Sequence, residues 1–229
     1  MSTSAPIAEA TRPGLRERKK QLTRQGIVSA AETLFEEHGY EQVTVARIAD
    51  AANVSVKTLF TYFDSKEDLV FAGEDETRDE ILRVISGRRP GQSVLHAMRD
   101  FLVEQTLSAP AEGLEGFHRR LGDLPALHSR LLVMFERYEQ ALARLLAEET
   151  GQSADDPRPR MAAAQLISLL RLVTTPEARA RINTSPVQGR PAAVRDWINS
   201  CADLLGEGLA HYGERTAAPG QDGGVPAER

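Results

Sequence analysis

The sequence has one cysteine, Cys201, in 229 residues, so no intrachain disulfide can form and a cysteine-based zinc site is excluded. No run approaches the roughly 18 apolar residues of a membrane-spanning helix. The opening MSTSAPIAEATRPG lacks the apolar stretch of a signal peptide, and a cytoplasmic location is expected. G-x-S-x-G, Walker-type and G-x-G-x-x-G motifs are all missing, which removes the common signatures of hydrolases, NTPases and dinucleotide enzymes. Internal repeats and long alternating strand patterns are missing too, so the chain reads as all-α. Metal ligands are sparse. Glu115-x-x-His118 has the spacing of a di-metal carboxylate pair, but that site type needs two such pairs and further carboxylates. No metal, cofactor or catalytic group is expected. His96 and His128 read as satisfied or exposed histidines.

Hydrophobic residues make up 41 %, enough for a sizeable core, and charged residues 27 %, ordinary for a soluble domain. The net charge of −5 argues against nucleic-acid binding until its distribution is examined. Arg12, Arg16, Arg18, Lys19, Lys20 and Arg24 stand against Glu17 alone, whereas beyond residue 66 acidic residues outnumber basic ones by 25 to 19. A basic arm leading into an acidic remainder suggests two units with different partners. A charged, disordered N-terminus is the alternative.

The most structured stretch is TVARIADAANVSVKTLFTYF, Thr44 to Phe63. Val45, Ile48, Ala49 and Ala52 line one face of a first helix; Val56, Leu59, Phe60 and Phe63 line one face of a second. Thr44 and Ser55 are N-caps, and Asn53 supplies the left-handed residue of the turn between. The second helix is too short to stand alone and must be held by packing. Its outward face offers Ser55, Lys57, Thr58, Thr61 and Tyr62, suited to an anionic, hydrogen-bonding surface such as a DNA groove. Val56, on its first turn, is also counted with the groove-facing set.

Residues 1–14 read as a disordered arm. A helix from about Leu15 buries Ile27, Ala30, Ala31, Leu34 and Phe35 and stops at Gly39. Gly26 inside it costs about 1 kcal/mol against alanine, with close packing the only available reason. Ser65 opens a fourth helix running toward Ser86, with Asp68 as an imperfect capping box. Further helices span about 93–107, a short piece near 117–121, a strongly periodic one from Leu124 to Leu146, then about 160–175 and 191–212. The tail from about 214 reads as disordered.

LFEEHGY, TVARIADAANVSVKTLFTYF and DSKEDL together resemble the DNA-binding region of TetR-type bacterial regulators, over residues of about 16–75. Asn53 departs from the glycine frequent there but can adopt the same backbone angle. The resemblance implies a helix-turn-helix domain over 15–66 and a helical effector-binding and dimerisation domain over 67–213. It implies a homodimeric repressor on a double-stranded, palindromic operator, released by a small organic effector. Lys57 would reach a guanine edge or phosphate. Ser55, Val56, Thr58, Thr61 and Tyr62 would add groove or backbone contacts, and Thr44, Arg47 and Lys66 phosphate contacts. Simple solvated charge is the alternative for Arg47, Lys57 and Lys66. Effector candidates are Phe101, Phe117, Met134, Phe135 and Tyr138, with His118 and Arg171 as polar anchors; ordinary core is the competing reading. Dimer candidates are Leu166, Leu170, Trp197, Cys201, Leu204 and Leu205, with intrachain core the alternative for Trp197. The competing functional class is a helical enzyme or carrier that retains a helix-turn-helix-like N-terminus.

Overall fold

The first helix, α1, spans Leu15–His38 and ends where Gly39 takes φ 78° and its N–H donates to the Phe35 carbonyl. A side chain is strained at that angle, so glycine makes the stop abrupt. In the computed structural model, residues 14–108, 116, 119, 121–122, 124–153 and 155–208 are described. Among them lie ten α-helices and no strand. Those after α1 are α2 (Val45–Ala51), α3 (Val56–Tyr62), α4 (Lys66–Val70), α5 (Glu74–Ser86) and α6 (Val94–Ser108). Then come α7 (Pro125–Thr150), α8 (Pro157–Leu172), α9 (Pro176–Thr184) and α10 (Arg190–Glu207). The expected N-terminal arm, apart from Gly14, and the tail lie outside the described residues.

Two apolar clusters organise these helices. The smaller joins Ile27, Ala31, Leu34 and Phe35 of α1 to Val43, Ile48, Ala49, Leu59, Phe63, Leu69 and Ala72. The larger gathers the inner faces of α5 to α10 around α7, whose Leu127, Leu131, Met134, Phe135, Tyr138, Leu142 and Leu146 are buried. Helix α7 packs most extensively on α8, while α10 lies on α6. Tyr40 and Val70 touch both clusters. No helix among the described residues is long and apolar enough to cross a membrane.

Three expectations need correction. The helix expected to be continuous from Ser65 to Ser86 is broken: α4 stops at Val70 and α5 begins at Glu74. Between them Phe71 and Ala72 are buried in different clusters, and Arg24 donates to the Ala72 carbonyl at 2.6 Å, occupying an acceptor that a continuous helix would use internally. A whole helix, α9, was not anticipated. Its signal is Thr175-Pro176-Glu177, an N-cap whose hydroxyl accepts from the Ala178 N–H, a proline at the first turn and an acid near the dipole's positive end. Finally, Gly26 has no packing role, since a Cβ there would meet nothing within 4 Å.

Candidate nucleic-acid interface

Local chemistry sets the turn-and-helix unit. The Thr44 hydroxyl accepts from the Arg47 N–H at 3.2 Å, and that of Ser55 from the Thr58 N–H at 3.0 Å, so each short helix begins on a satisfied cap. Between them the chain turns at Asn53, φ 54°, with its N–H on the Asp50 carbonyl and the Val54 N–H on Ala49. Ser65 caps α4 in the expected way: it accepts from the Asp68 N–H at 3.2 Å and donates to the Asp68 carboxylate at 2.9 Å.

Helix α3 sits on the smaller core through Leu59, with Phe63 just beyond its end buried beside it and Tyr62 half-buried at the edge. Its inward side is turned toward Tyr62 relative to the expected stripe. Val56 and Phe60, expected to face inward, are 40 % and 47 % exposed. Lys57 and Thr61 are exposed beside them, and Thr58 is half-buried. The hydroxyls expected to read DNA are largely engaged at home. Ser55 and Thr58 oxygens lie 2.8 Å apart, and Thr61 donates to the Lys57 carbonyl at 3.0 Å. The Lys57 ammonium makes no ion pair or hydrogen bond among the described residues.

Two expected phosphate contacts are engaged within the chain, Lys66 part-buried and Arg47 at the surface. The Lys66 ammonium donates to the Tyr40 carbonyl at 2.5 Å and lies 4.0 Å from the Tyr40 ring centre. Burial lowers its pKa below the ordinary value, and Glu67 and Glu41 offset only part of this. The Tyr40 hydroxyl donates to Glu67 at 2.8 Å. Burial, then that bond, pushes the phenol above its ordinary pKa. The Arg47 guanidinium is 2.5 Å from His38 Nε2, which accepts only as a neutral ring. In α1, Arg16, Arg18, Lys19 and Lys20 are exposed, ahead of the first buried residue, Ile27. Arg24 is pinned over Phe63, 5.2 Å from the ring centre. Arg12 lies outside the described residues.

This unit is coupled to the larger core by charge. Arg130 of α7 donates to Asp68 of α4 at 2.7 Å, stands 2.7 Å from Glu74 at the start of α5, and lies over the Phe71 ring at 5.4 Å. Arg137 pairs with the other Glu74 oxygen at 2.6 Å, and the Tyr138 hydroxyl donates to the Glu74 carbonyl at 2.8 Å. Burial alone would raise the Asp68 pKa. Hydrogen bonds from Arg130 and Ser65 and the guanidinium charge outweigh it and hold the carboxyl below its usual range. Glu74 Oε2 is buried without a well-aligned hydrogen bond, so its 2.7 Å approach to Arg130 Nη2 is an ion pair made off the best angle; Arg130 Nη1 is buried with no hydrogen bond among the described residues.

The comparisons with known proteins converge on this architecture. A family model described as "Bacterial regulatory proteins, tetR family" matches residues 27–72, from the α1 core through the α4–α5 break. The transcriptional regulator TcmR of Streptomyces glaucescens is 31 % identical over 183 residues, covering 75 % of this chain and 81 % of TcmR. The chain belongs to the TetR family. Its helix-turn-helix makes it a DNA-binding transcriptional regulator, and the family's members are not enzymes. The transcriptional repressor AcnR of Corynebacterium glutamicum is 38 % identical over 68 residues, 30 % of this chain and 36 % of AcnR. A crystal structure of a TetR-family protein from Syntrophomonas wolfei shares the fold, with TM-score 0.54 and 18 % identity over 81 % of this chain and 97 % of that one.

Of the residues expected at a TetR-type effector site, Phe101, Met134, Phe135 and Tyr138 are all buried within the larger core. Phe101 also borders an open cleft of about 400 Å³ between α5 and α6, with Arg83, Arg88 and Asp100. Arg171 is exposed, paired with Glu139 at 2.9 Å and 5.2 Å from the Phe135 ring centre. Phe117 and His118 lie outside the described residues. Among the dimer candidates, Leu166 is corrected: at 3 % exposure its side chain is already filled around by its own chain. Leu170, Trp197, Cys201 and Leu205 are half-buried against the larger core; Leu204 is half-buried outside it. Burial raises the Cys201 thiol pKa, which disfavours a reactive thiolate. Sequence reasoning missed Met161, an exposed methionine on α8 that the helical pattern left unassigned.

Proposed function

We propose that the protein is a homodimeric repressor that binds a palindromic operator in the cytoplasm and is released from it by a small organic effector. Residues 15–66 serve as the reader, and 67–213 as the part that pairs two copies and senses the effector. The observation that carries this reading is the Arg130–Asp68–Glu74 cluster, which fastens α4, packed in the reader's core, to α7, the axis of the larger core. A reader isolated from control would need no such tie. A seven-residue reading helix touches few base pairs, so a dimer on two half-sites is the economical route to selectivity. The half-buried apolar residues of α8 and α10, Leu170, Trp197, Cys201, Leu204 and Leu205, supply the surface for it. The effector is accommodated among Phe101, Met134, Phe135 and Tyr138, next to the Tyr138–Glu74 bond, so that repacking there pulls on α5. Contacts to DNA come from Lys57 and the groove face of α3, with Thr44 and Arg47 at its margins, and from Lys66 once its ammonium leaves the Tyr40 carbonyl.

The test is selection of bound sequences from a random DNA pool by the full-length protein, followed by salt titration. Inverted half-sites one helical turn apart, and affinity falling with a log–log slope of about −0.9 per phosphate contacted, are expected. Lys57→Ala lowers that slope by about one contact. Recovery of no sequence, or of a single half-site bound by a monomer, refutes the dimeric operator reading. DNA binding that stays unchanged across a small-molecule library and across substitutions at Met134 and Phe101 refutes effector release.

A further inference from the structure

We propose that α3 selects thymine by touching its 5-methyl group with Val56 and Phe60, making the reading face chiefly apolar. The inference rests on the DNA-reading role of α3. Val56 and Phe60 are four residues apart, so they form one strip along the helix, and both are exposed. Single exposed apolar residues are commonplace on protein surfaces. Two on one strip of a seven-residue helix, beside the exposed Lys57, form a face of defined chemistry.

The polar alternatives on that helix are mostly spent. The Ser55 oxygen accepts from the Thr58 N–H, and the two hydroxyls are bonded to each other, which leaves one O–H between them. The Thr61 O–H is committed to the Lys57 carbonyl, so this side chain offers the groove a methyl group and an acceptor oxygen. Lys57 remains as a cation with no ion pair or hydrogen bond among the described residues. In the major groove, an apolar side chain distinguishes one base by contact alone: thymine, through its 5-methyl group. Burying the Phe60 ring and Val56 methyls against thymine methyls removes apolar surface from water on both partners. Val56 sits on the first turn of α3 and Phe60 on the next, so the strip is long enough for adjacent base pairs.

The experiment takes an operator recovered from the random pool and replaces each thymine in turn by deoxyuridine, which deletes the 5-methyl group and keeps the pairing edges. Wild-type protein should lose about threefold to fourfold in affinity at one or two thymines per bound helix, the effect of one buried methyl. Phe60→Ala and Val56→Ala should bind the thymine operator more weakly, with unchanged melting, and each should lose the uracil penalty at its own position. Phe60→Tyr keeps the ring and should keep the penalty. Specific binding with no uracil penalty anywhere overturns this inference alone. So does a full penalty retained in both alanine variants. Failure to recover any operator overturns the reader role together with it.

Discussion

Replacing Arg130 by methionine tests the tie between the two cores most directly. The methionine keeps the length over the Phe71 ring but leaves Asp68 and Glu74 facing one another without their shared cation. Removing one partner of a buried ion pair costs about 3–5 kcal/mol. Here the Arg130, Asp68 and Glu74 side chains keep 14 %, 23 % and 12 % of their exposure, and Glu74 retains Arg137. Those two facts lower the expected loss to about 2–3 kcal/mol, or roughly 5–10 °C in melting temperature for a chain of this size. Urea denaturation at pH 7 measures it. Arg137→Met is the control; that side chain is 57 % exposed and should cost well under about 1 kcal/mol. The pH dependence adds a second check. Asp68 has its folded pKa depressed, so its contribution is present above its unfolded pKa and disappears as pH falls through the folded value. The gap between wild type and Arg130→Met should therefore be full at pH 7 and narrow below about pH 4. A gap under about 0.5 kcal/mol at pH 7, or one indifferent to pH, would refute the reasoning.

Two smaller perturbations probe the backbone. Gly26→Ala should stabilise the protein by about 0.5–1 kcal/mol, because α1 gains a better helix former where a Cβ meets no neighbour; thermal melting with no gain or a loss would contradict it. Asn53→Val forces a β-branched residue to φ 54° and should cost about 1–2 kcal/mol or more in denaturant titrations, whereas Asn53→Gly should lie within about 0.5 kcal/mol of wild type.

What the sequence made legible and what it hid divide by the range of the forces involved. Thr44, Ser55 and Ser65 could be named as caps, Gly39 as a stop and Asn53 as the turn residue because each acts within three or four residues. The inner face of α7 was readable because 26 residues repeat the pattern often enough to fix its rotation. Helix α3 has seven, and two turns leave that rotation open; Val56 and Phe60 accordingly came out exposed. The break between α4 and α5 depends on Arg24, 48 residues away from the Ala72 carbonyl it caps. Lys66 looked free for phosphate because its partner, the Tyr40 carbonyl, is 26 residues distant. The Arg130 cluster spans 62 residues to Asp68 and carries no periodicity at all, so nothing in the sequence marked it. Helix α9 is the exception, a local signal overlooked: its cap and proline were present, but its apolar side is only Ala178 and Ile182.

Helix α4 shows how the two cores can influence one another. It has five residues, and they answer to different parts of the molecule. Lys66 and Glu67 hold Tyr40 by its carbonyl and its hydroxyl, Leu69 fills the reader's core, Asp68 is gripped by Arg130, and Val70 touches both clusters. A helix with little more than one turn has no length over which to bend. A shift of α7 that carries Arg130 must either break the Asp68 bond or move α4 as a unit, and Tyr40 with it. Tyr40 lies 5.3 Å from Phe35, ring centre to ring centre, at the end of α1 and just ahead of α2. The displacement would therefore enter the reader at the base of its turn-and-helix unit. It would change the direction of α3 while leaving its exposed face intact. Control by reorientation, with the reading surface unaltered, is the mode that this arrangement favours.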